Sequence, residues 1–421
     1  MVRSAQHVST EVLVIGGGLI GSAIAYGLVK QGLQDVLVID PDLSGEWSSS
    51  ELNAGGVRGT WSQTVNLELS KASIDFFSLH AEQVGYRPCG YLWLHRPGTW
   101  DAALRAREMH VRHGWPVEVL DVEGIRQRVP FIDKTSDLAG GLFGVRDGLV
   151  NPNRLKEHFR EEAQRGGAKF MDGAYFCGAE FSEQGRVGVE VFRFASGLSS
   201  IKKRELLSRN PSTRGEFATE DGDWIRIDTD RVVNASGAWA PEVARRLGYD
   251  CPSRPVRRQI SLFHARDLDL TPYGMIIDPS GVYFHPESIY GLSGFANQGE
   301  NPGYRFDYEG DSFFEEWIWP ALYERSTAFE SLRHVSGWAG LYEESPDHHA
   351  IIGEAIGGVI PAGRVFEAHS FSGHGAMQSF AAGRGIAERM VLGRYETIEL
   401  ESLSAARFRD GKNIPGETWV I

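Results

Sequence analysis

Cysteine is scarce in this sequence. Its 421 residues contain three cysteines, Cys89, Cys177 and Cys251, and no CxxC spacing occurs. An odd number without paired spacing argues against a disulfide framework and against a thiolate metal site. The Asp-His-His run at residues 347–349 matches no ligand spacing, so we interpret it as a turn and predict no metal site.

An excess of positive charge and long apolar runs are missing as well. The chain has 43 Lys and Arg against 56 Asp and Glu, and its net charge of −13 argues against a nucleic acid or an anionic membrane surface as partner. No apolar run approaches the roughly 20 residues of a membrane-spanning helix, and the residues before position 12 hold no apolar signal core. We expect no membrane span and a cytoplasmic location. The oligomeric state stays open.

A stretch near the N-terminus carries the strongest local pattern. Residues 12–15 are aliphatic, which is typical of a strand buried on both faces. They are followed by GGGLIG, which matches GxGxxG at Gly16, Gly18 and Gly21. In this motif the first glycine permits a tight turn and the second lets the backbone approach a pyrophosphate. The third lets the next helix pack close to the sheet.

A second buried strand, residues 36–39, ends at Asp40. A carboxylate at this point accepts hydrogen bonds from a ribose diol and repels a 2′-phosphate. The order of strand, glycine loop, helix and strand predicts a β-α-β unit that binds an ADP moiety. The motif alone does not choose between FAD and NAD.

A polar stretch interrupts the middle of the chain. Residues 187–194 and 224–227 have the pattern of a β-hairpin. Residues 196–223 between them are rich in lysine, arginine, serine and acids, which predicts a solvated, mobile loop without a role in catalysis.

Several motifs together resemble a known family. The segments VIGGGLIGSAIAYGL, DGLVNP, VVNASGAWA, RPVRRQI, GWAGLYEESPDHHAIIG and HSFSGHGAMQSFAAGRGIAERMV occur in this order. The chain is similar to the FAD-dependent D-amino acid oxidase superfamily, within it to the sarcosine oxidase and dimethylglycine dehydrogenase branch. This resemblance, which covers nearly the whole chain, makes NAD as the sole cofactor improbable.

The resemblance implies an α/β plus antiparallel-β fold, in which a Rossmann-like FAD-binding domain is interleaved with a substrate domain built on a large antiparallel sheet. A chain of this length is also long for a single core, which favours two domains. We predict a discontinuous FAD-binding domain at residues 1–86, 147–254 and 331–421. The substrate domain is predicted at residues 87–146 and 255–330.

The candidate cofactor-binding residues lie in these motifs and in the turns near them. Free N–H groups at the start of the predicted helix after Gly373 favour negative charge, and would stabilise the anionic reduced flavin. The full set is Gly16, Gly18, Leu19, Ile20, Gly21, Asp40, Pro41, Ser48, Ser49, Ser50, Gly55, Gly56, Val57, Phe176, Ser236, Gly237, Trp239, Gly373, His374, Gly375, Ala376 and Met377.

The chain departs from the family pattern at the positions that attach FAD or meet oxygen and substrate. The cysteine that tethers FAD in some members corresponds to Gly340, and the histidine tether to Leu52 or Asn53. Non-covalent FAD is therefore expected. The lysine that speeds oxygen reduction aligns near Ser293, and the lysine that holds a substrate carboxylate aligns with Met377. The acceptor, oxygen or another, stays open, and we expect a dehydrogenase or a slow oxidase.

The resemblance implies oxidation of the C–N bond of a small secondary or tertiary amine, an N-alkyl amino acid of the sarcosine or dimethylglycine type. Hydride would pass to flavin N5, and the imine would then hydrolyse. The neutral amine needs no strong base. Arg58 is the candidate for stabilising flavin charge or clasping a carboxylate. The other candidate catalytic residues are Tyr342 and His374 from the motifs, and Tyr283, His285 and Arg305 from their positions in the predicted sheet.

Two alternatives remain open at this point. One is oxidation of a primary amino acid or a 2-hydroxy acid by the same superfamily chemistry. The other, of a different class, is an assembly or interaction protein that binds FAD without turnover. A panel of substrates distinguishes the first alternative from oxidation of an N-alkyl amino acid. Turnover of any amine would exclude the second alternative.

Overall fold

The chain folds around two large β-sheets in the computed structural model, which describes residues 6–195, 198–218, 221–411 and 414–420. The strands in chain order are β1 (Gln6–Ile15), β2 (Val36–Asp40), β3 (Gly56–Val57), β4 (Tyr91–His95), β5 (Val117–Leu120), β6 (Gly140–Gly144), β7 (Gly148–Leu149), β8 (Lys169–Asp172), β9 (Ala174–Phe181), β10 (Val187–Phe194), β11 (Gly222–Asn234), β12 (Arg254–His264), β13 (Met275–Ile277), β14 (Val282–Glu287), β15 (Tyr290–Phe295), β16 (Arg333–Glu344), β17 (Ile351–Glu354) and β18 (Val365–His369).

Helices cover the sheets and close their edges. In chain order they are α1 (Leu19–Lys30), α2 (Thr64–Leu79), α3 (Ala81–Val84), α4 (Pro97–Arg112), α5 (Val122–Arg128), α6 (Pro152–Arg165), α7 (Ser200–Arg209), α8 (Ala240–Leu247), α9 (Asp311–Phe313), α10 (Trp319–Arg325) and α11 (Gly375–Leu392). A π-helical turn at Phe314–Ile318 joins α9 to α10.

The first sheet has a parallel centre, in the order β17-β18-β11-β1-β2-β8. Strand β1 pairs in parallel with both β11 and β2, and its last four residues are nearly or fully buried. The long strand β11 also pairs in antiparallel fashion with β10, which confirms the predicted hairpin. The carboxyl ends of β1, β2 and β11 therefore meet at one edge, where open α/β sheets bind their ligands.

The second sheet is almost entirely antiparallel, in the order β16-β12-β15-β14-β13-β4-β6-β5. Only the β13–β4 pair within it is parallel. One face packs against the aromatic residues that run from Phe313 to Phe329. The large antiparallel sheet and the Rossmann-like unit confirm the predicted fold class. Strand β16, inside the segment 331–421, is hydrogen-bonded in this second sheet, and the domain boundaries stay a prediction.

The packing of α1 explains two glycines beyond the loop motif. Helix α1 lies against α11, and a Cβ on Gly27 would come within 2.7 Å of the carbonyl oxygen of Gly383. A Cβ on Gly383 would in turn collide with the carbonyl oxygen of Ala23. The two helices thus approach backbone to backbone, which brings the start of α11 to the edge of the first sheet.

The prediction of a mobile loop at residues 196–223 was wrong for its central part. Residues 198–218 contain helix α7, whose N-cap Ser199 accepts a hydrogen bond from the amide of Lys202. Phe217 packs on Phe192, with ring centroids 4.6 Å apart. Residues 196–197 and 219–220 lie outside the described residues. Across the described ranges, no helix is long and apolar enough to cross a membrane.

Candidate active site

A deep cleft runs along the edge where β1, β2 and β11 end, and continues under the second sheet. It holds about 1960 Å³ of space, including the open solvent at its mouth. Most of the predicted residues line it, although they come from distant parts of the sequence. They are Gly16, Gly18, Leu19, Ile20, Asp40, Pro41, Ser48, Ser49, Ser50, Gly56, Phe176, Ser236, Gly237, Trp239, Gly373, Gly375, Ala376 and Met377, with Arg58, Tyr283, Tyr342 and His374.

The glycine loop after β1 divides its tasks as the motif predicts. Gly16 has a φ of +104°, and a Cβ there would collide with the carbonyl oxygen of Ala235. A Cβ on Gly21 would collide with the carbonyl oxygen of Gly16. At Gly18, by contrast, the nearest protein atom to a Cβ is Ser50 Oγ at 3.1 Å. Gly18 therefore faces the cleft, where a side chain would take space from a ligand.

Asp40 braces this loop from the end of β2. Its Oδ2 accepts a hydrogen bond of 2.7 Å from the amide of Gly17, and its Oδ1 one of 2.7 Å from the amide of Asp42. Burial raises the pKa of Asp40 to about 6. A carboxylate has about four acceptor sites, so two remain for a ribose diol.

The start of α11 forms the opposite wall. Three residues before it adopt left-handed backbone: Ser370 with φ +61°, Ser372 with φ +50° and Gly373 with φ +93°. Such strain in non-glycine residues concentrates at functional sites. It turns the chain so that Gly375 and Met377, at the first turn of the helix, line the cleft with free N–H groups of the helix end.

His374 is held rigidly beside this helix start. Its Nε2 lies 2.9 Å from the carbonyl oxygen of His348, so Nε2 carries the proton. The ring packs edge-on to Trp61 at 4.8 Å between centroids. Burial lowers the pKa of His374 to about 3, and the nearby charge of Arg58 adds to this effect. The imidazole is therefore neutral.

Arg58 lies buried at the end of the cleft that faces the second sheet. The residue is 2% exposed, and burial lowers the pKa of its guanidinium. Nη1 donates to the carbonyl oxygen of Thr60 and Nη2 to that of Trp419, while Cζ lies 3.5 Å from the ring centroid of Trp61. Nε has no partner. Arg58 forms no ion pair with any residue that the structure describes.

Phenol groups complete this end of the cleft. Tyr91 and Tyr283 extend from β4 and β14, and burial raises the pKa of both hydroxyls, so both stay protonated. Tyr342 lines the cleft beside Gly373, where a Cβ would collide with the tyrosine ring. Arg258 reaches the same space from β12 and is paired with Glu344.

Five of the predicted site residues do not line the cleft. A Cβ on Gly21 would collide with Gly16, a Cβ on Gly55 would collide with the carbonyl oxygen of Val150, and Val57 is fully buried. His285 shares a strand with Tyr283 but is 1% exposed and bonded to the carbonyl oxygen of Pro286 at 2.8 Å. Burial lowers its pKa to about 4.

Arg305 is also misplaced by the prediction. Its side chain is 43% exposed and pairs with Glu300 and Asp307 at the surface. It therefore neither lines the cleft nor reaches a ligand in it. A local cluster of charges around Arg305 was the signal in the sequence that could have warned of this.

The sequence interpretation missed a segment that closes the cleft from far along the chain. In residues 414–420, Val420 lines the cleft, and the ring of Trp419 lies 5.1 Å from that of Trp93. Glu417 is 2% exposed and fixes the segment. Its carboxylate accepts hydrogen bonds of 2.6–3.2 Å from the amides of Ser62, Gln63 and Trp419, the hydroxyl of Ser62 and the side-chain amide of Asn66.

The deep cleft, the braced glycine loop and the anion-attracting helix end suit a dinucleotide. The profile of the DAO family, described as FAD dependent oxidoreductase, matches residues 11–389. The chain belongs to this family. Its cofactor is accordingly FAD, and the chain is an FAD-dependent oxidoreductase, as the family resemblance implied.

The chain is also similar to two curated relatives and to one solved structure. FAD-dependent oxidoreductase domain-containing protein 1 of Bos taurus is 28% identical over 441 residues, which cover 96% of this chain and 85% of that protein. Mitochondrial dimethylglycine dehydrogenase of Mus musculus is 25% identical over 259 residues, 59% of this chain and 25% of that protein. The structure of L-proline dehydrogenase from P. horikoshii has a TM-score of 0.80 at 23% identity, covering 97% of this chain and 100% of the other. The similarity to L-proline dehydrogenase shows that the two proteins share a fold.

The residues fit FAD along the cleft. The glycine loop and Asp40 suit the ADP half, and the start of α11 suits the electron-rich edge of the ring. Gly340 and Leu52, where the family places its tethers, both line the cleft and carry no nucleophile. Non-covalent binding therefore stays our prediction.

Proposed function

We propose that the protein oxidises the C–N bond of a small secondary or tertiary amine that carries a carboxylate, an N-alkyl amino acid. The observation that carries this proposal is the buried guanidinium of Arg58, which lies on the rings of Trp61 and Trp93 and has no carboxylate within ion-pair distance among the described residues. The residue is 2% exposed, and its two terminal nitrogens meet only backbone carbonyls. The carboxylates of Glu417 and Asp147 act on this charge only from beyond ion-pair distance. Because a buried charge without a direct ion-pair partner is costly, an anionic ligand beside Arg58 is favoured.

The donors around Arg58 support the same ligand. Arg58 Nε and Arg258 Nε are buried without a partner. The hydroxyls of Tyr91 and Tyr283 line the cleft and donate to no residue within the described ranges. Because arginine and phenol groups are donors to a carboxylate, their convergence suits its oxygens. The neighbouring side chains of Ile260, Met275 and Met377 are apolar and suit N-alkyl groups.

The chain's own residues have modest chemical tasks in this reaction. When bound, FAD supplies the hydride acceptor. The arginine and tyrosine donors hold the carboxylate and so orient the C–H bond next to nitrogen. The apolar side chains of Ile260, Met275 and Met377, together with Val420, exclude water. The neutral ring of His374 adds no positive charge that would repel a protonated amine. Since the amine reacts in its neutral form, no strong base is needed in the cleft.

Similarity to dimethylglycine dehydrogenase supports this substrate class, because dimethylglycine is a tertiary amine with a carboxylate. The same donors would also accept a primary amino acid, which is the second candidate. A protein that binds FAD without turnover is the candidate of another class.

Anaerobic mixing with a panel of amines tests the proposal. Sarcosine, dimethylglycine and longer N-methyl amino acids should bleach the flavin absorbance, and their methyl esters should bleach it far more slowly. Faster bleaching by glycine, D-alanine or a 2-hydroxy acid would replace the proposal with the alternative substrate class. No bleaching by any member of a broad panel would favour a protein without turnover.

A further inference from the structure

We propose that helix α7 and the residue that ends it, Asn210, cover the adenine end of FAD and retain the cofactor. Residues 198–218, which we call the insertion, lie between β10 and β11 and are then a part of the cofactor site. The proposal concerns FAD alone and is independent of the substrate.

The adenine end of the cleft is identified by Asp40. In a β-α-β nucleotide site the acid after the second strand binds the ribose, so adenine lies beyond it. Pro41, Tyr175 and Arg246 line the cleft there, and so do Leu207 and Asn210 of the insertion. The insertion therefore reaches the part of the cleft where the adenine would lie.

Three polar contacts fix α7 over this end of the cleft. Trp239 Nε1 donates to the carbonyl oxygen of Leu207 at 2.8 Å. Arg246 Nη2 donates to the carbonyl oxygen of Asn210 at 2.9 Å. At the other end of the helix, Lys203 Nζ lies 2.9 Å from Oδ1 of Asp42. Trp239, Arg246 and Asp42 all line the cleft themselves, so the insertion is attached to the cofactor site.

Asn210 has the chemistry to recognise adenine. It has a left-handed backbone with φ +49°, which asparagine tolerates better than most residues. Its side-chain amide forms no hydrogen bond with the part of the chain that the structure describes. An amide offers one donor and one acceptor side by side, the pattern that pairs with N6 and N7 of adenine. Leu207, 8% exposed, supplies an apolar contact next to it.

The cover buries little apolar area, which makes it the part of the site that opens. Besides the three contacts above, Ser200 is hydrogen-bonded to Glu46, and Leu206 packs at the edge of the cluster around Phe192. The residues of α7 other than Leu207 are exposed or half-buried, and Arg209 pairs with Glu205 at the surface. Segments with little buried apolar area open at low cost. FAD release therefore requires α7 to lift from Trp239 and Arg246.

The variant Leu207→Ala/Asn210→Gly tests the cover, because glycine keeps the left-handed backbone and removes the amide. The dissociation rate of FAD, followed by recovery of flavin fluorescence, should rise about tenfold or more. The dissociation constant of ADP for the apoprotein should rise by the same factor, since ADP carries the adenine end alone. The visible spectrum of bound FAD should stay unchanged. Arg209→Ala, on the same helix, is the matched control and should change none of these values.

Unchanged FAD release and ADP affinity in the double variant would overturn the proposal, and so would a loss of FAD affinity without a loss of ADP affinity. Hydrogen exchange on the unaltered apoprotein gives a second test that needs no variant. Added ADP should protect the backbone amides of residues 200–210. Equal exchange with and without ADP would also overturn the proposal.

Discussion

Replacing Arg58 by alanine should raise the KM for a carboxylate-bearing amine by at least about tenfold. The structure restricts how this arginine can act. Both terminal nitrogens donate to the carbonyl oxygens of Thr60 and Trp419, and Nε has no partner but is itself buried, so a hydrogen bond to a ligand requires a small shift of this side chain. A clasp by two guanidinium nitrogens would require the 414–420 segment to move.

The magnitude follows from one charge-assisted hydrogen bond. Such a bond contributes about 1.5–3 kcal/mol. Because about 1.4 kcal/mol corresponds to tenfold in an equilibrium constant, the expected effect is roughly tenfold to hundredfold. Arg58→Lys restores the charge but leaves a single ammonium for Thr60, Trp419 and the ligand, so it should recover only part of the loss.

Steady-state kinetics with the best N-alkyl amino acid and its methyl ester provide the assay. The variant should raise KM for the acid and leave KM for the ester unchanged, since the ester lacks the carboxylate. Arg305→Ala is the control, because that arginine is exposed and paired outside the cleft. Circular dichroism of each variant checks the fold. A fall in kcat with unchanged KM would refute the substrate role and assign Arg58 to the flavin, and no change in either value would refute both roles.

Four further outcomes are expected. Acid precipitation should leave the flavin in the supernatant, because Gly340 and Leu52 carry no tether, and a yellow pellet would contradict this. Asp40→Ala should weaken FAD binding about tenfold to hundredfold, since hydrogen bonds to a charged acceptor contribute roughly 1.5–3 kcal/mol; unchanged cofactor content would show a misassigned motif. Stopped-flow reoxidation by oxygen should be slower than turnover with an artificial acceptor, because Ser293 replaces the family lysine and its Oγ is committed to the carbonyl oxygen of Tyr283. Burial opposes ionisation of Glu417, but the hydrogen bonds to its carboxylate outweigh this and hold its pKa below the ordinary value of 4.5. The ionised carboxylate therefore stabilises the fold above pH 4.5. Glu417→Gln should lower the free energy of unfolding in urea by about 2 kcal/mol at pH 7, and by less as the pH falls below 4.5.

Local patterns predicted the glycine loop and the strands beside it. A Cβ on Gly21 would collide with the nearby Gly16, whereas a Cβ on Gly16 would collide with Ala235, which follows a strand distant in the sequence, so the motif predicts both glycines but only the first of these partners. The pairing of β10 with β11 also followed from alternation in two short stretches. These features are encoded where they occur, so one sequence suffices to find them.

Strand alternation gave the face of a residue but not its distance along the strand from the cleft. Tyr283 and His285 point to the same side of β14, and only Tyr283 reaches the ligand space. His285 lies two residues further along β14, where its ring is hydrogen-bonded to the carbonyl oxygen of Pro286. The position of the cleft across the strands is set by the packing of two sheets, which no local pattern contains.

The insertion and the 414–420 segment were missed for a related reason. Helix α7 has little apolar surface of its own, and its place depends on Trp239 and Arg246, which follow later in the chain. Glu417 gains its donors from Ser62 and Asn66, more than 350 residues earlier. A polar composition does not reveal such partners, because hydrogen bonds across the fold replace apolar packing.

The cleft draws its wall from loops of the first sheet, strands of the second sheet, the insertion and the 414–420 segment. A ligand that touches all of these is a non-covalent cross-link within the fold. Because it binds only the assembled protein, it stabilises that state by about 2.7 kcal/mol when its free concentration is 100 times its dissociation constant. The thermal stability and the lifetime of this protein in a cell should therefore follow the supply of riboflavin, the vitamin from which FAD is made. When riboflavin is short, proteases should degrade the apoprotein before the FAD-bound protein.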